Sequence, residues 1–330
     1  MKNPISQINK KTIRNVFVGA FLLLLMMNLV AYLHAWNFTH FTSQDNRTPP
    51  PEELTTLEKI NVLFTGVSLP RPENYTIPEV DYESSWLSVE DDSIALWEVE
   101  ARKNRGTVAM FHGYFADRTS LLEQAQRFRR LGYRTVLVDF RGSGGSSGSS
   151  TSIGYHEMHD VKAVYTYISQ RYDGPIILFG TSMGAAAILH CTSKLNIHPD
   201  ALILECPFGT LYEATVNRFQ TMNIPAFPMA GLLVFWGGVQ NGYWGFDHNP
   251  TDYARNVSTP TLLFYGELDP RVTPKETNDI YLNLPGKKRL VTFPNAGHGK
   301  FLEEYENEWM KEIHEFLIEL PQPMITQSSD

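Results

Sequence analysis

Six short apolar runs, spaced by helix-like stretches, constrain this chain more than any other feature. They occupy residues 107–111, 135–139, 176–179, 201–204, 261–265 and 289–293. Each is too short for a buried helix and too uniformly apolar for a strand with one wet face. Strands buried on both faces read this way. Helix-period stretches at 119–131, 156–172, 182–195 and 301–318 fall between or after them, and a further helix separates the last two strands. Such alternation predicts an α/β architecture, a mainly parallel central sheet with helices on both faces. Two earlier runs, 86–89 and 94–99, are joined by the turn Glu90-Asp91-Asp92-Ser93 and predict an antiparallel pair. In open sheets of this kind ligands sit beyond the carboxyl ends of the strands.

The segment ahead of this domain follows different rules. Residues 16–36 read VFVGAFLLLLMMNLVAYLHAW, with Asn28 the one strongly polar residue before His34. That length spans about 30 Å of hydrocarbon as a helix. Lys2, Lys10, Lys11 and Arg14 precede it and no acid does, which predicts a cytoplasmic N-terminus and a catalytic domain on the periplasmic, luminal or extracellular side. A cleaved signal peptide would have a shorter apolar core and a small-residue cleavage site, for which Ala31 and Ala35 are poor candidates. The expected organisation is a basic tail (1–15), a transmembrane signal anchor (16–36), a juxtamembrane linker with a short helix at 52–67 (37–83), a catalytic domain (84–320) holding a small aromatic insert (206–256), and a tail (321–330). In the linker, 48–51 reads as a stiff spacer and 66–78 as extended chain.

Three residues at strand ends carry the chemistry. Gly180-Thr181-Ser182-Met183-Gly184 is a G-x-S-x-G pentapeptide between a buried strand and a small-residue helix. There a sharp turn lifts the serine hydroxyl above the sheet edge, and the helix start supplies backbone N–H groups. His298 stands between Gly297 and Gly299 after the last strand, free to reach a hydroxyl as a general base. Asp269 follows the 261–265 strand and can orient that histidine, with Glu267 the alternative acid. The chain order serine, acid, histidine, each after a separate strand, suits one site.

On these motifs, together with Phe111-His112-Gly113-Tyr114 and Asp139-Phe140-Arg141-Gly142-Ser143-Gly144, residues 84–318 resemble the α/β-hydrolase superfamily. The resemblance is to its esterase, lipase, thioesterase and serine-aminopeptidase-like members that lack a large lid. It implies a nucleophile elbow flanked by Gly180 and Gly184, and an oxyanion hole made by the backbone N–H groups of Tyr114 and Met183. It also implies that no metal or organic cofactor is needed. His112 is expected to be a buried structural residue, and Asp139 and Arg141 to brace their loop.

The insert is rich in aromatic residues, and Pro225 and Pro228 should interrupt any helix in it. Phe227, Phe235, Trp236 and Trp244 are candidate substrate-binding residues, with a satellite core as the equal alternative and a patch meeting the membrane as a third. His156-Glu157-Met158-His159 is one residue short of a zinc-binding spacing. Two cysteines, Cys191 and Cys206, allow no disulfide framework and read as buried thiols. A net charge of −8 argues against nucleic acid as a partner. The expected activity is hydrolysis of a carboxylic ester or related acyl bond in a small-molecule acyl substrate, at the bilayer that holds the anchor. A peptidase or acyltransferase of the same fold is the nearer alternative, and a non-catalytic binding protein on that fold the farther one.

Overall fold

The computed structural model describes residues 10–43, 47–49, 53–299 and 301–319. Lys2, Pro50, Pro51 and the 321–330 tail lie outside the described residues. In chain order come α1 (Lys10–Thr39), α2 (Thr56–Thr65), β1 (Glu83–Val89), β2 (Asp92–Val99), β3 (Thr107–Phe111), α3 (Leu122–Leu131), β4 (Arg134–Val138), α4 (Met158–Arg171), β5 (Ile176–Thr181), α5 (Met183–Lys194), β6 (Ala201–Glu205), α6 (Leu211–Thr221), α7 (Met229–Gln240), the one-turn α8 (Pro250–Tyr253), β7 (Thr261–Gly266), α9 (Pro274–Asn283), β8 (Lys288–Phe293) and α10 (Phe301–Ile318).

The eight strands form one sheet in the order β1-β2-β4-β3-β5-β6-β7-β8. β2 pairs antiparallel with both β1 and β4, and every pairing from β4 to β8 is parallel. Successive side chains on a strand leave opposite faces, and here both faces are apolar. Ala109, Phe111, Leu178, Leu202 and Leu204 pack on α4, α5 and α9. Val108, Met110, Ile177, Phe179 and Phe264 pack under α3 and α10, around the fully buried Trp309. The apolar runs of β3 to β7 reflect this two-sided burial, whereas β8, at the sheet edge, buries fully only Phe293.

α1 runs longer than the apolar stretch alone predicts, and its first part (Val16 to Leu25) is half or more exposed. Its last part is not a free tether. Ala31, Ala35 and Thr39, spaced by four, form a buried stripe. Asn28 Oδ1 accepts from Trp236 Nε1 at 3.2 Å, and the Tyr32 carbonyl accepts from Gln240 Nε2 at 2.8 Å. Just beyond the helix, Phe41 N–H donates to Ser149 O, and Thr151 N–H donates to Thr39 O. Asn28, anomalous within an apolar span, is thus a docking group for α7.

The insert holds α6, α7 and the one-turn α8, with Pro225 and Pro228 between the first two. Proline there ends neither helix from within; it shapes the turn that separates them.

Candidate active site

Ser182 caps α5 with φ 52° and ψ −109°, a backbone setting rare for a residue with a side chain. Its own N–H is tied to the Glu205 carbonyl at 2.7 Å, which joins the β5 and β6 strand ends. The flanking glycines do not supply the positive φ, since Ser182 adopts it. They are required for space. A Cβ on Gly180 would lie 2.7 Å from Ala185 N, and one on Gly184 only 2.3 Å from the Phe111 carbonyl oxygen. The elbow is wedged directly against the end of β3.

His298 follows β8 on a loop and is mostly covered. Its Nδ1 lies 2.7 Å from Asp269 Oδ2, while the Asp269 side chain is fully buried. The other oxygen, Oδ1, accepts the N–H groups of Arg271 (2.7 Å) and Val272 (3.1 Å). Burial opposes ionisation of this carboxyl, but the bonds from His298 and the two backbone donors outweigh it and hold its pKa below the usual range. With Asp269 ionised, His298 carries its proton on Nδ1, and Nε2 is left as the acceptor. Glu267, the alternative acid, is exposed.

Ser182, Met183, His298 and Tyr114 open onto one cavity of about 450 Å³, a size typical of small-molecule sites. Its walls are mainly apolar: Phe208, Leu211 and Phe219 on one side, Leu233 and Val234 of α7 on another. Four charged residues line it, Arg47, Lys59, Arg218 and Arg271, and all are cations. That sign is opposite to the net charge of −8.

Phe227, Phe235, Trp236 and Trp244 are not among the cavity's lining residues. Phe227 is 86% exposed at the α6–α7 turn. Trp236 meets Tyr32 edge-on at 5.3 Å, and Phe235 packs on Trp236 and Trp244. The reason is helical geometry: α7 turns Leu233, Val234 and Gly237 to the cavity and its aromatic residues to α1 and the outside. Sequence spacing alone did not reveal which face looked inward.

His112 is fully buried. Its Nε2 accepts the Phe140 N–H at 3.1 Å and its Nδ1 donates to Gly113 O at 2.8 Å. Burial lowers its pKa, so it is neutral and braces the loop after β3. Asp139 accepts the N–H groups of Arg118 and Gly145 and pairs with the Arg118 guanidinium at 3.2 Å. Arg141 grips Asp160 through Nε and Nη2 at 2.9 and 2.6 Å. Glu157 is buried and accepts from Thr151 Oγ1 and from the N–H groups of Ser152 and Gly154. His156 Nε2 meets the Asn241 carbonyl instead. This segment is a hydrogen-bonded loop brace.

Two groups at the end of β6 were not assigned to the site by the sequence, which read Cys206 only as a buried thiol. Glu205 is buried, bonded by Trp309 Nε1 at 2.7 Å and Thr181 Oγ1 at 3.2 Å, and burial pushes its pKa up to about 7. An acid closing a buried strand was the only available signal. Cys206 is a free, buried thiol with φ 47°. Its sulfur and the ligand atoms of Asp269 and His298 lie within 4.8 Å of one another. Burial and the neighbouring Asp269 and Glu205 carboxylates push its pKa far up, so it serves as a neutral donor to Asp269.

The family model described as serine aminopeptidase, S33, matches residues 102–241. The esterase Pf2001 of Pyrococcus furiosus superposes with a TM-score of 0.63 at 21% identity, covering 76% of this chain and 98% of that one. The chain has the α/β-hydrolase fold and resembles serine hydrolases built on it. Among sequence relatives of this hydrolase, protein YqkD of Bacillus subtilis is 24% identical over 225 residues, 67% of this chain and 74% of that protein. The lysophosphatidylserine lipase ABHD12 of Mus musculus is 26% identical over 205 residues, 60% of this chain but 49% of the mouse protein.

Proposed function

We propose that this hydrolase is a membrane-anchored enzyme that cleaves a carboxylic ester or related acyl bond through an acyl-enzyme. Ser182 attacks the carbonyl carbon, and His298 Nε2 takes the hydroxyl proton. Asp269 holds His298 in the right tautomer and stabilises the imidazolium. The N–H groups of Tyr114 and Met183 receive the oxyanion. His298 then protonates the leaving oxygen, and water activated by the same nitrogen releases the acyl group. One observation carries the reading: the elbow serine and His298, held from behind by the buried Asp269, open onto the same mainly apolar cavity. The 16–36 span, with Lys10, Lys11 and Arg14 before it, supports a single-pass anchor, a cytoplasmic N-terminus and a catalytic domain on the far side.

An aminopeptidase needs a carboxylate to hold the substrate ammonium, and no acid lines the cavity among the described residues. The four lining cations favour instead an acyl substrate with an anionic group, a class that includes the lysophosphatidylserine in the mouse relative's name. The test is fluorophosphonate labelling of the full chain, then kcat/KM for p-nitrophenyl acyl esters against aminoacyl and dipeptide anilides. Labelling lost in Ser182→Ala and faster ester turnover are expected. Labelling that persists in that variant would refute the nucleophile. Faster anilide turnover would make the enzyme a peptidase.

A further inference from the structure

The cavity that holds Ser182 is not built by the catalytic domain alone. His34, Ala35, Phe38 and Thr39, the last turns of the anchor helix, form one of its walls. The contact is fixed rather than grazing. The Tyr114 hydroxyl donates to the Phe38 carbonyl at 2.6 Å, so a residue beside the elbow is bonded directly to the anchor.

The anchor also sets the depth of the opposite wall. Trp236 docks on Asn28 and Gln240 on Tyr32, eight and four residues before Trp36, where the apolar span ends. At about 1.5 Å per residue, α7 lies roughly 6–12 Å inside the span. Its sequence suits that depth, for MAGLLVFWGGVQ contains no charge. Large apolar side chains stand exposed on both partners: Phe227, Val239 and Trp244 on the insert, Leu33 and Trp36 on α1. The occupant that matches this surface is the bilayer that α1 itself enters. The polar end of the cavity, with Ser182 and His298, then stands at the level of the ester groups of membrane lipids.

Resting on the acyl-hydrolase reading, we infer that substrates are amphiphiles drawn laterally from the bilayer. Their acyl chain lies between α1 and the α6–α7 insert, and Phe38 and Gly237 limit its length. Gly237 lines the cavity, and a Cβ placed on it meets no atom within 4 Å. A larger side chain there projects into the cavity without a clash at its root.

The experiment uses the full chain in phosphatidylcholine vesicles with hydroxycoumarin esters of four to sixteen carbons. Phe38→Ala should move the chain-length optimum to longer esters and Gly237→Leu to shorter ones. Both shifts should appear mainly in KM, because they change binding shared by ground and transition states. For the longest esters at fixed bulk concentration, added vesicle lipid should slow turnover in proportion to the fall in surface mole fraction. An unmoved optimum in Phe38→Ala would overturn the anchor wall. Turnover that follows bulk concentration would overturn lateral entry. Fluorophosphonate labelling of the unmodified chain keeps these outcomes apart from failure of the serine-hydrolase reading. Its absence sinks that reading, whereas its presence with unmoved profiles sinks only the anchor's role. Retained labelling in both variants also excludes misfolding as the cause of a shift.

Discussion

Replacing Gly184 by alanine adds one methyl group at the tightest contact of the elbow. The new Cβ would stand 2.3 Å from the Phe111 carbonyl oxygen and 2.8 Å from that of His112. An unstrained contact needs about 3.4 Å, so the start of α5 must retreat by about 1 Å from the end of β3. Overpacking of this kind costs about 1–3 kcal/mol. At about 2–4 °C per kcal/mol for a domain of this size, the unfolding midpoint should fall by several degrees. The catalytic loss should be larger. Ser182 and the Met183 N–H ride on α5, while Tyr114 and its N–H belong to the β3 side. The two halves of the proposed oxyanion site should therefore separate by that same 1 Å, a misplacement worth on the order of 100-fold in rate. The assay is kcat/KM on p-nitrophenyl butyrate, with thermal unfolding of the same detergent-solubilised samples. Gly231→Ala on α7 is the control, because a Cβ there meets no atom within 4 Å. Alanine there should leave activity unchanged and raise stability by up to about 1 kcal/mol through helix propensity. A Gly184→Ala enzyme with kcat/KM within threefold of the parent and an unshifted midpoint would refute the space argument.

Asp269→Asn should lower kcat by about 10³–10⁴-fold. The Asn carbonyl would keep the Arg271 and Val272 donors, turn its amide to His298 Nδ1, and so move the proton onto Nε2. Glu267→Gln should change kcat by less than threefold, and the reverse ranking would make Glu267 the acid. Glu205 supplies a pH effect of defined sign. Its folded-state pKa is raised to about 7 from an ordinary 4.5, so its contribution to stability is present below about pH 4.5 and lost as pH rises through 7. The shift corresponds to about 3 kcal/mol. Glu205→Gln, whose side-chain oxygen can still accept from Trp309, should raise the unfolding midpoint at pH 8 more than at pH 5. An equal effect at both pH values would mean that Glu205 titrates normally in the fold.

The sequence by itself determined the sheet, the order of its elements and the candidate catalytic positions. Those properties are local. A strand buried on both faces must be apolar throughout. A serine raised on a strand-to-helix turn needs small neighbours. A loop histidine and a loop aspartate each announce themselves at a strand end. The sequence also marked residues 16–36 as a membrane span, because only composition and length enter that reading. The tertiary structure alone decided what surrounds Ser182. Asn28 was only the one strongly polar residue of an apolar run until α7 brought Trp236 to it, and Ala31 and Ala35, weighed in the sequence only as a poor cleavage site, became the buried stripe. Phe235 and Trp236 face away from the cavity because the facing of α7 depends on what it packs against, here a helix some two hundred residues earlier in the chain. Contacts between segments so far apart leave no periodicity in either one. The candidate site residues could therefore be read from single stretches, whereas the cavity they open onto exists only once α1, α6 and α7 have met.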